Sequence, residues 1–215
     1  MRRMKQRALG IDLGLSGARA AVVDADGELI GRGRYTVAAR LAGELEGDPE
    51  SWLDAAIGAA RAALSDASVA SVDAIAIGAL GPCPVLLDSA MLPVGPAPLF
   101  GIDARSEAHR RRLQKEHGLS DEELSLDHVA PKLLWLRDTQ PQRFARARWV
   151  VDAAGYIVAA LTGVPTIDRS TAAYHLARGI APLVPMPEPR EAHEIAGVLQ
   201  PVAARRLQLV PGTPV

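Results

Sequence analysis

The sequence has one cysteine and almost no net charge, and each scarcity closes off a class of function. With Cys83 alone, no intramolecular disulfide can form, and a lone thiol suits a reducing compartment. Lys and Arg total 24 against 25 Asp and Glu, a formal net charge of -1. That balance offers no basic surface to a nucleic acid or an anionic membrane. The basic cluster of Arg2, Arg3, Lys5 and Arg7 reads as a solvated terminus. No apolar segment follows it, as a secretory signal would require. Nor is there a run of about 18 apolar residues to span a bilayer; Asp152 interrupts the best stretch, Trp149 to Leu161. The expectation is a cytoplasmic protein with no nucleic-acid or membrane partner.

Metal-binding spacing is also missing. His109, His117, His128, His175 and His193 form no H-E-x-x-H or comparable pattern. A dinucleotide fingerprint fails because Gly10, Gly14 and Gly17 have the wrong spacing and lead into a strand. Gly14-Leu15-Ser16-Gly17 is one residue short of a nucleophile elbow, and no G-x-x-x-x-G-K-[ST] occurs.

What is present begins with "ALGIDLGLSGARAAVVDADGELI". Leu9, Ile11 and Leu13 alternate with Gly10 and Asp12, the period of a strand. Ala20 to Val23 makes a second short run, and the turn Asp24 to Gly27 precedes a third strand around Glu28 to Tyr35. The pattern predicts an antiparallel meander. After Pro49 the period becomes helical, with Asp48 as N-cap and Trp52, Ala56, Ala59, Ala60 and Ala63 on one stripe. Val72 to Leu80 reads as a buried strand and "GPCPVLLD" as a turn into another. Helix-like segments follow from Asp103 to Glu116, in "HVAPKLLWLRD", in "ARARWVVDAAGYIVAALTG" and in "DRSTAAYHLAR", then a loop around Pro185, Pro187 and Pro189 and a short C-terminal helix. A meander followed by strand-helix-strand predicts a mixed sheet, here of five strands with helices on both faces. The 215 residues suit one large domain or two small ones with a real core.

Two places could carry chemistry. Asp12 could hold a hard cation through its water, while Gly14 and Gly17 let a backbone of turn amides approach an anion, with Arg19 adding charge. An ordinary hairpin whose Asp and Ser satisfy turn amides fits the same letters. Asp103 and Arg105 follow a strand end, where side chains project toward a crevice; the competing reading is an N-cap at Asp103 with Arg105 in solvent. Cys83, amid prolines and aliphatics, reads as an inert packed thiol.

The order of these segments resembles the N-terminal half of the FGGY carbohydrate kinases, the xylulokinase and glycerol kinase relatives. "GIDLGLSGARAAVVDADGELI" is similar to their phosphate hairpin. "IGALGPCPVLLD" with "LFGIDARS" is similar to their sugar-contacting strand and loop, and "PKLLWLRDTQPQRFARARWVVDAAGYIVAALTG" with "TIDRSTAAYHLA" to the stretch that follows. The resemblance implies an actin-like ATPase (ribonuclease H-like) α/β fold and ATP-dependent phosphorylation of a sugar or polyol hydroxyl, with Mg2+ as metal. It implies that Asp12 places the metal, that Gly14, Ser16, Gly17 and Arg19 contact phosphate, and that Pro82, Cys83, Asp103 and Arg105 form the sugar side. Leu15 stands where the family usually has threonine, and Pro82 where xylulokinases have histidine. The resemblance further implies that residues 1–215 are one N-terminal domain, that the catalytic base lies after Val215, and that a second, C-terminal domain completes the enzyme. These residues alone are then expected to be inactive; a homodimer is compatible with the family. A non-catalytic sugar-binding or regulatory relative is the alternative.

Overall fold

The computed structural model describes residues 6–37, 45–101, 103–191 and 193–215; Arg2, Arg3 and Lys5 of the basic cluster lie outside the described residues. The meander forms as the alternation requires: β1 (Arg7–Gly14), β2 (Gly17–Asp24) and β3 (Leu29–Thr36) pair antiparallel in sequence. After β4 (Glu46–Gly47) comes α1 (Pro49–Asp66), which opens where the capping pattern places it, with the Asp48 carboxylate accepting from Glu50 N–H at 3.1 Å. The chain then returns as β5 (Ala74–Ala79), parallel to β1. The sheet order is β3-β2-β1-β5.

The core lies on one side of this sheet. Leu9, Ile11 and Leu13 are buried against Trp52, Ala56, Ala59, Ala60 and Ala63 of α1. The approach is unusually close on β3. A Cβ on Gly31 would stand 2.5 Å from the Ala63 carbonyl oxygen, and one on Gly33 would stand 2.0 Å from that of Ala59. Only glycine on the strand and alanine on the helix allow the two backbones this near, so the alanine stripe and "GRG" are one packing device.

Two expectations about the sheet are corrected. The main sheet has four strands, not five. The segment read as the fifth, β6 (Val85–Leu87), follows two prolines that interrupt the edge and pairs antiparallel with β8 (Trp149–Val151) instead. β8 itself lies in a segment read as helix; Asp152 is the switch, capping α5 (Ala153–Thr162) by accepting from Gly155 N–H at 2.7 Å. A further two-residue strand, β7 (Ala97–Pro98), pairs with β4.

The second correction concerns the faces. Tyr156, Ile157 and Leu161 of α5 and Leu207 of α7 (Pro201–Leu207) join the same core as α1. On the opposite face Asp12, Arg19, Ala74, Ala76 and Gly78 are exposed. Among the described residues, the helices that cover the sheet cover one face.

The remaining helices are α2 (Glu107–His117), α3 (Val129–Thr139) and α4 (Pro141–Arg146), which pack around two smaller cores, and the short α6 (Arg169–His175). Among the described residues, no helix is long and apolar enough to cross a membrane.

Candidate active site

The hairpin between β1 and β2 turns through Leu15 and Ser16, both exposed, with Gly14 and Gly17 as the last pair. The two glycines differ. Gly17 has φ 137°, and a Cβ there would lie 2.1 Å from the Tyr35 carbonyl oxygen. Packing against β3 therefore suffices to explain it. Gly14 has room: its nearest neighbour would be the Gly17 carbonyl oxygen at 3.7 Å. A Cβ at Gly10 would meet nothing within 4 Å, and one at Gly78 would meet the Asp12 carboxylate at 3.9 Å.

Asp12 therefore stands on a bare floor. It pairs in register with Arg19 on β2 and Gly78 on β5, and the groove around it is lined by Gly10, Arg19, Ala21, Ala76 and Gly78, with a volume of about 550 Å3. The glycines on this floor are not needed by the protein's own packing. That leaves space for a bulky anion beside the carboxylate. Among the described residues, no three His, Cys, Asp or Glu side chains converge to hold a metal. A single exposed carboxylate fits Mg2+, which keeps most of its waters and is held by one or two carboxylates together with substrate phosphates.

Pro82 and Cys83 lie where the chain leaves the C-terminal end of β5, the same end of the sheet as the hairpin turn; Leu80 N–H still donates to the Leu13 carbonyl at 2.8 Å. Both are buried. The Cys83 Sγ accepts from Phe100 N–H at 3.3 Å, and burial pushes its thiol up to about 11. The inert-thiol reading fits this environment. A fully buried sulfur has no surface to offer a sugar, so as a substrate contact the Cys83 side chain is set aside; it holds a loop.

That loop has three consecutive backbone anchors. Leu99 C=O accepts from the Lys132 ammonium at 3.2 Å, Phe100 N–H is on Cys83, and Gly101 N–H donates to Asp127 at 3.2 Å. Lys132 is 1% exposed and burial lowers its pKa. The loop so fixed delivers Asp103 and Arg105. Their guanidinium and carboxylate meet fork to fork: Arg105 Nε donates to Asp103 Oδ1 at 2.9 Å and Nη2 to Oδ2 at 2.8 Å, while Arg105 N–H also donates to Oδ1 at 3.0 Å. Glu46 adds an ion pair at 3.2 Å, without hydrogen-bond geometry, and the guanidinium carbon lies 4.1 Å from the Trp135 ring centroid. The hydrogen bonds to Asp103, more than the Coulomb attraction of Asp103 and Glu46, raise the Arg105 pKa against its desolvation.

The reading of this pair as an N-cap with a solvated arginine does not hold. The residue before α2 is Ser106, so Asp103 is not the N-cap, and Arg105 is clamped rather than loose in solvent. Asp103 is 4% exposed with both oxygens occupied, while Arg105 keeps 31% of its side chain accessible. Of the expected sugar-side residues, Arg105 alone presents a functional group to solvent, and Asp103 orients it. Lys132, Glu46 and Trp135 were missed in the sequence. The signal for one of them was there: a lysine inside the apolar run "VAPKLLWL" must be buried with a partner.

Residues 7–215 match the FGGY family of carbohydrate kinases, N-terminal domain. The chain belongs to that family. Among curated relatives, a xylulose kinase of Escherichia coli is 28% identical over 77% of this chain and 35% of its own length. A xylulose kinase of Bacillus subtilis is 26% identical over 96% of this chain and 46% of its own. The chain thus spans less than half the length of these FGGY relatives. A gluconate kinase structure from Lactobacillus acidophilus superposes with a TM-score of 0.79 at 17% identity, covering 98% of this chain and 47% of the other. The fold is that of the FGGY kinases, an α/β actin-like ATPase domain with a mixed sheet.

Proposed function

We propose that this chain is the sugar-side domain of an ATP-dependent kinase that phosphorylates a hydroxyl of a sugar or polyol. What carries the reading is the exposed Asp12 on a floor of glycines that the fold does not need. Phosphoryl transfer is largely positioning and charge stabilisation, which turn amides and a metal-orienting carboxylate supply. On this reading Asp12 orients Mg2+, the Gly14–Gly17 turn and Arg19 face the phosphates, and Arg105, held by Asp103, addresses the sugar. Pro82, buried where the chain leaves β5, is assigned to the same side. ATP is the phosphoryl donor, and Mg2+ supplies charge neutralisation when bound. The base that accepts the hydroxyl proton and the contacts to the nucleotide come from a C-terminal domain, in keeping with the family's longer members. The lone buried thiol of Cys83 agrees with a reducing, cytoplasmic setting.

The test is a coupled ADP-release assay on the polypeptide encoded by the complete gene, against a panel of pentoses, hexoses and polyols. Sugar-dependent turnover of roughly 1–100 per second supports the reading. Tight sugar binding with no turnover supports the non-catalytic relative instead, for which the exposed Leu15 at the turn is the relevant feature.

A further inference from the structure

Glu46 is tied alongside the loop that carries Arg105. It pairs in register with Pro98, Gly47 pairs with Ala97, and Leu99 N–H donates to the Leu45 carbonyl at 3.0 Å. A Cβ on Gly47 would lie 2.0 Å from the Trp52 ring, so the core fixes this short strand from behind. From that backbone the Glu46 Oε1 lies 3.2 Å from Arg105 Nη2, buried and without a hydrogen bond. Two carboxylates, Asp103 and Glu46, therefore meet one guanidinium. The neighbouring cations are committed elsewhere. Arg143, which also feels the Glu46 charge, donates to Gln140 Oε1 at 2.9 Å and to the Pro96 carbonyl. Lys132 is enclosed, with its ammonium on the Leu99 carbonyl. Among the described residues, nothing accepts from Arg105 Nη1, so donors remain there while net positive charge does not.

We infer that Glu46 is a specificity-determining residue: it reserves the place beside Arg105 for an uncharged polyhydroxy substrate and excludes sugar acids. The inference rests on the proposal that Arg105 addresses the sugar, and it adds which class of sugar is accepted. A hydroxyl oxygen needs only a donor, and Nη1 supplies one. A carboxylate needs more. Asp103 occupies the Nε–Nη2 edge and Glu46 stands against Nη2, so no two-pronged edge of the guanidinium is left for a substrate anion. That anion would be the third on one arginine, and its desolvation would find no cation to offset it. Asp103 and Arg105 alone would make a neutral pair. Glu46 tips the balance to negative, and a like charge brought against it is repelled.

Matched pairs of a neutral sugar or polyol and the acid of the same configuration, such as xylitol with xylonate and glucitol with gluconate, test this in the ADP-release assay. The kcat/KM of the kinase should favour the neutral member by at least about 10²-fold. Glu46→Gln keeps the shape and removes the charge, and it should narrow that ratio by about 10-fold or more. A purely structural role for Glu46 would lower both members together and leave the ratio where it was. Ionic strength reads the same charge without a substitution. Between roughly 0.02 M and 0.3 M salt the ratio should narrow several-fold in the unaltered kinase and stay flat in Glu46→Gln. A kinase that prefers the acids, or a Glu46→Gln variant with an unchanged ratio, overturns the inference and leaves the kinase reading intact. If no pair turns over, the kinase reading fails, and calorimetric binding of the same pairs decides the inference by the same ratio. Should Glu46→Gln fail to fold, the salt series on the unaltered kinase decides alone.

Discussion

The two halves of the candidate site are built on opposite principles. At the hairpin, Asp12, Ser16 and Arg19 are exposed on a sheet face that no described helix covers, and glycines keep the space around Asp12 open. Around Asp103 and Arg105, a buried lysine, a thiol and an aspartate pin a loop so that an aspartate can clamp an arginine over a tryptophan. The exposed side chains of Asp12, Ser16 and Arg19 are little used by the packing and are available for ligand. The loop cluster satisfies itself first and offers one guanidinium. Substitutions of these exposed hairpin side chains should therefore cost activity, and those in the helical region should cost stability.

The largest separation is expected at Asp12. Asp12→Ala in the polypeptide of the complete gene should lower turnover by about 10²–10³-fold, the range for losing one preorganised charge-stabilising group. Its unfolding temperature should move little, since the side chain packs against nothing large. A marked loss of stability would break the comparison.

Next in size is the pH response of the buried helical region. His175 has both ring nitrogens without hydrogen-bond partners, and burial depresses its pKa from 6.5 to about 4. A depressed histidine leaves the folded state reluctant to bind a proton that the unfolded chain takes up readily. Stability is therefore lost as pH falls from 6.5 toward 4, by about 3 kcal/mol. Burial raises the Asp152 pKa from 3.8 to about 6, which works the other way: the folded state gains its proton first, and stability recovers over pH 6 to 3.8 by a similar amount. Urea unfolding at pH 7 and 4.5 should thus give similar values for the unaltered chain. His175→Leu should make it relatively more stable at pH 4.5, and Asp152→Asn relatively less. Identical pH profiles for all three would contradict the burial argument.

Asp103→Ala should come third, at about 1–3 kcal/mol, because it strands a guanidinium that is two-thirds covered and still faces Glu46. On the proposed function, the Michaelis constant for sugar should rise more than that for ATP. An effect on ATP alone would move Arg105 out of the sugar side.

The smallest contrast is within the hairpin itself. Gly17→Ala must place a Cβ against the Tyr35 carbonyl at a positive φ and should cost about 1–3 kcal/mol in equilibrium unfolding. Gly14→Ala should stay within about 0.5 kcal/mol yet weaken nucleotide binding. If Gly14→Ala leaves the Michaelis constant for ATP unchanged, the bare floor has another purpose.

Neighbours along the chain were enough to set the local order of this protein. Alternation about Leu9, Ile11 and Leu13 set the meander, Asp48 and Pro49 set the start of α1, and the succession of segments marked the FGGY domain, because these signals depend only on neighbours in the chain. Tertiary structure decided the rest. Val85 to Leu87 had strand character, but which strand it pairs with is a long-range choice, and it joined β8 rather than the main sheet. Asp103 and Arg105 were visible as charged residues after a strand, but the bidentate grip between them, the Glu46 carboxylate and the Trp135 ring come from segments up to 89 residues apart. Spacing cannot show whether an aspartate faces substrate or its own arginine, because burial and side-chain geometry are properties of the packed chain.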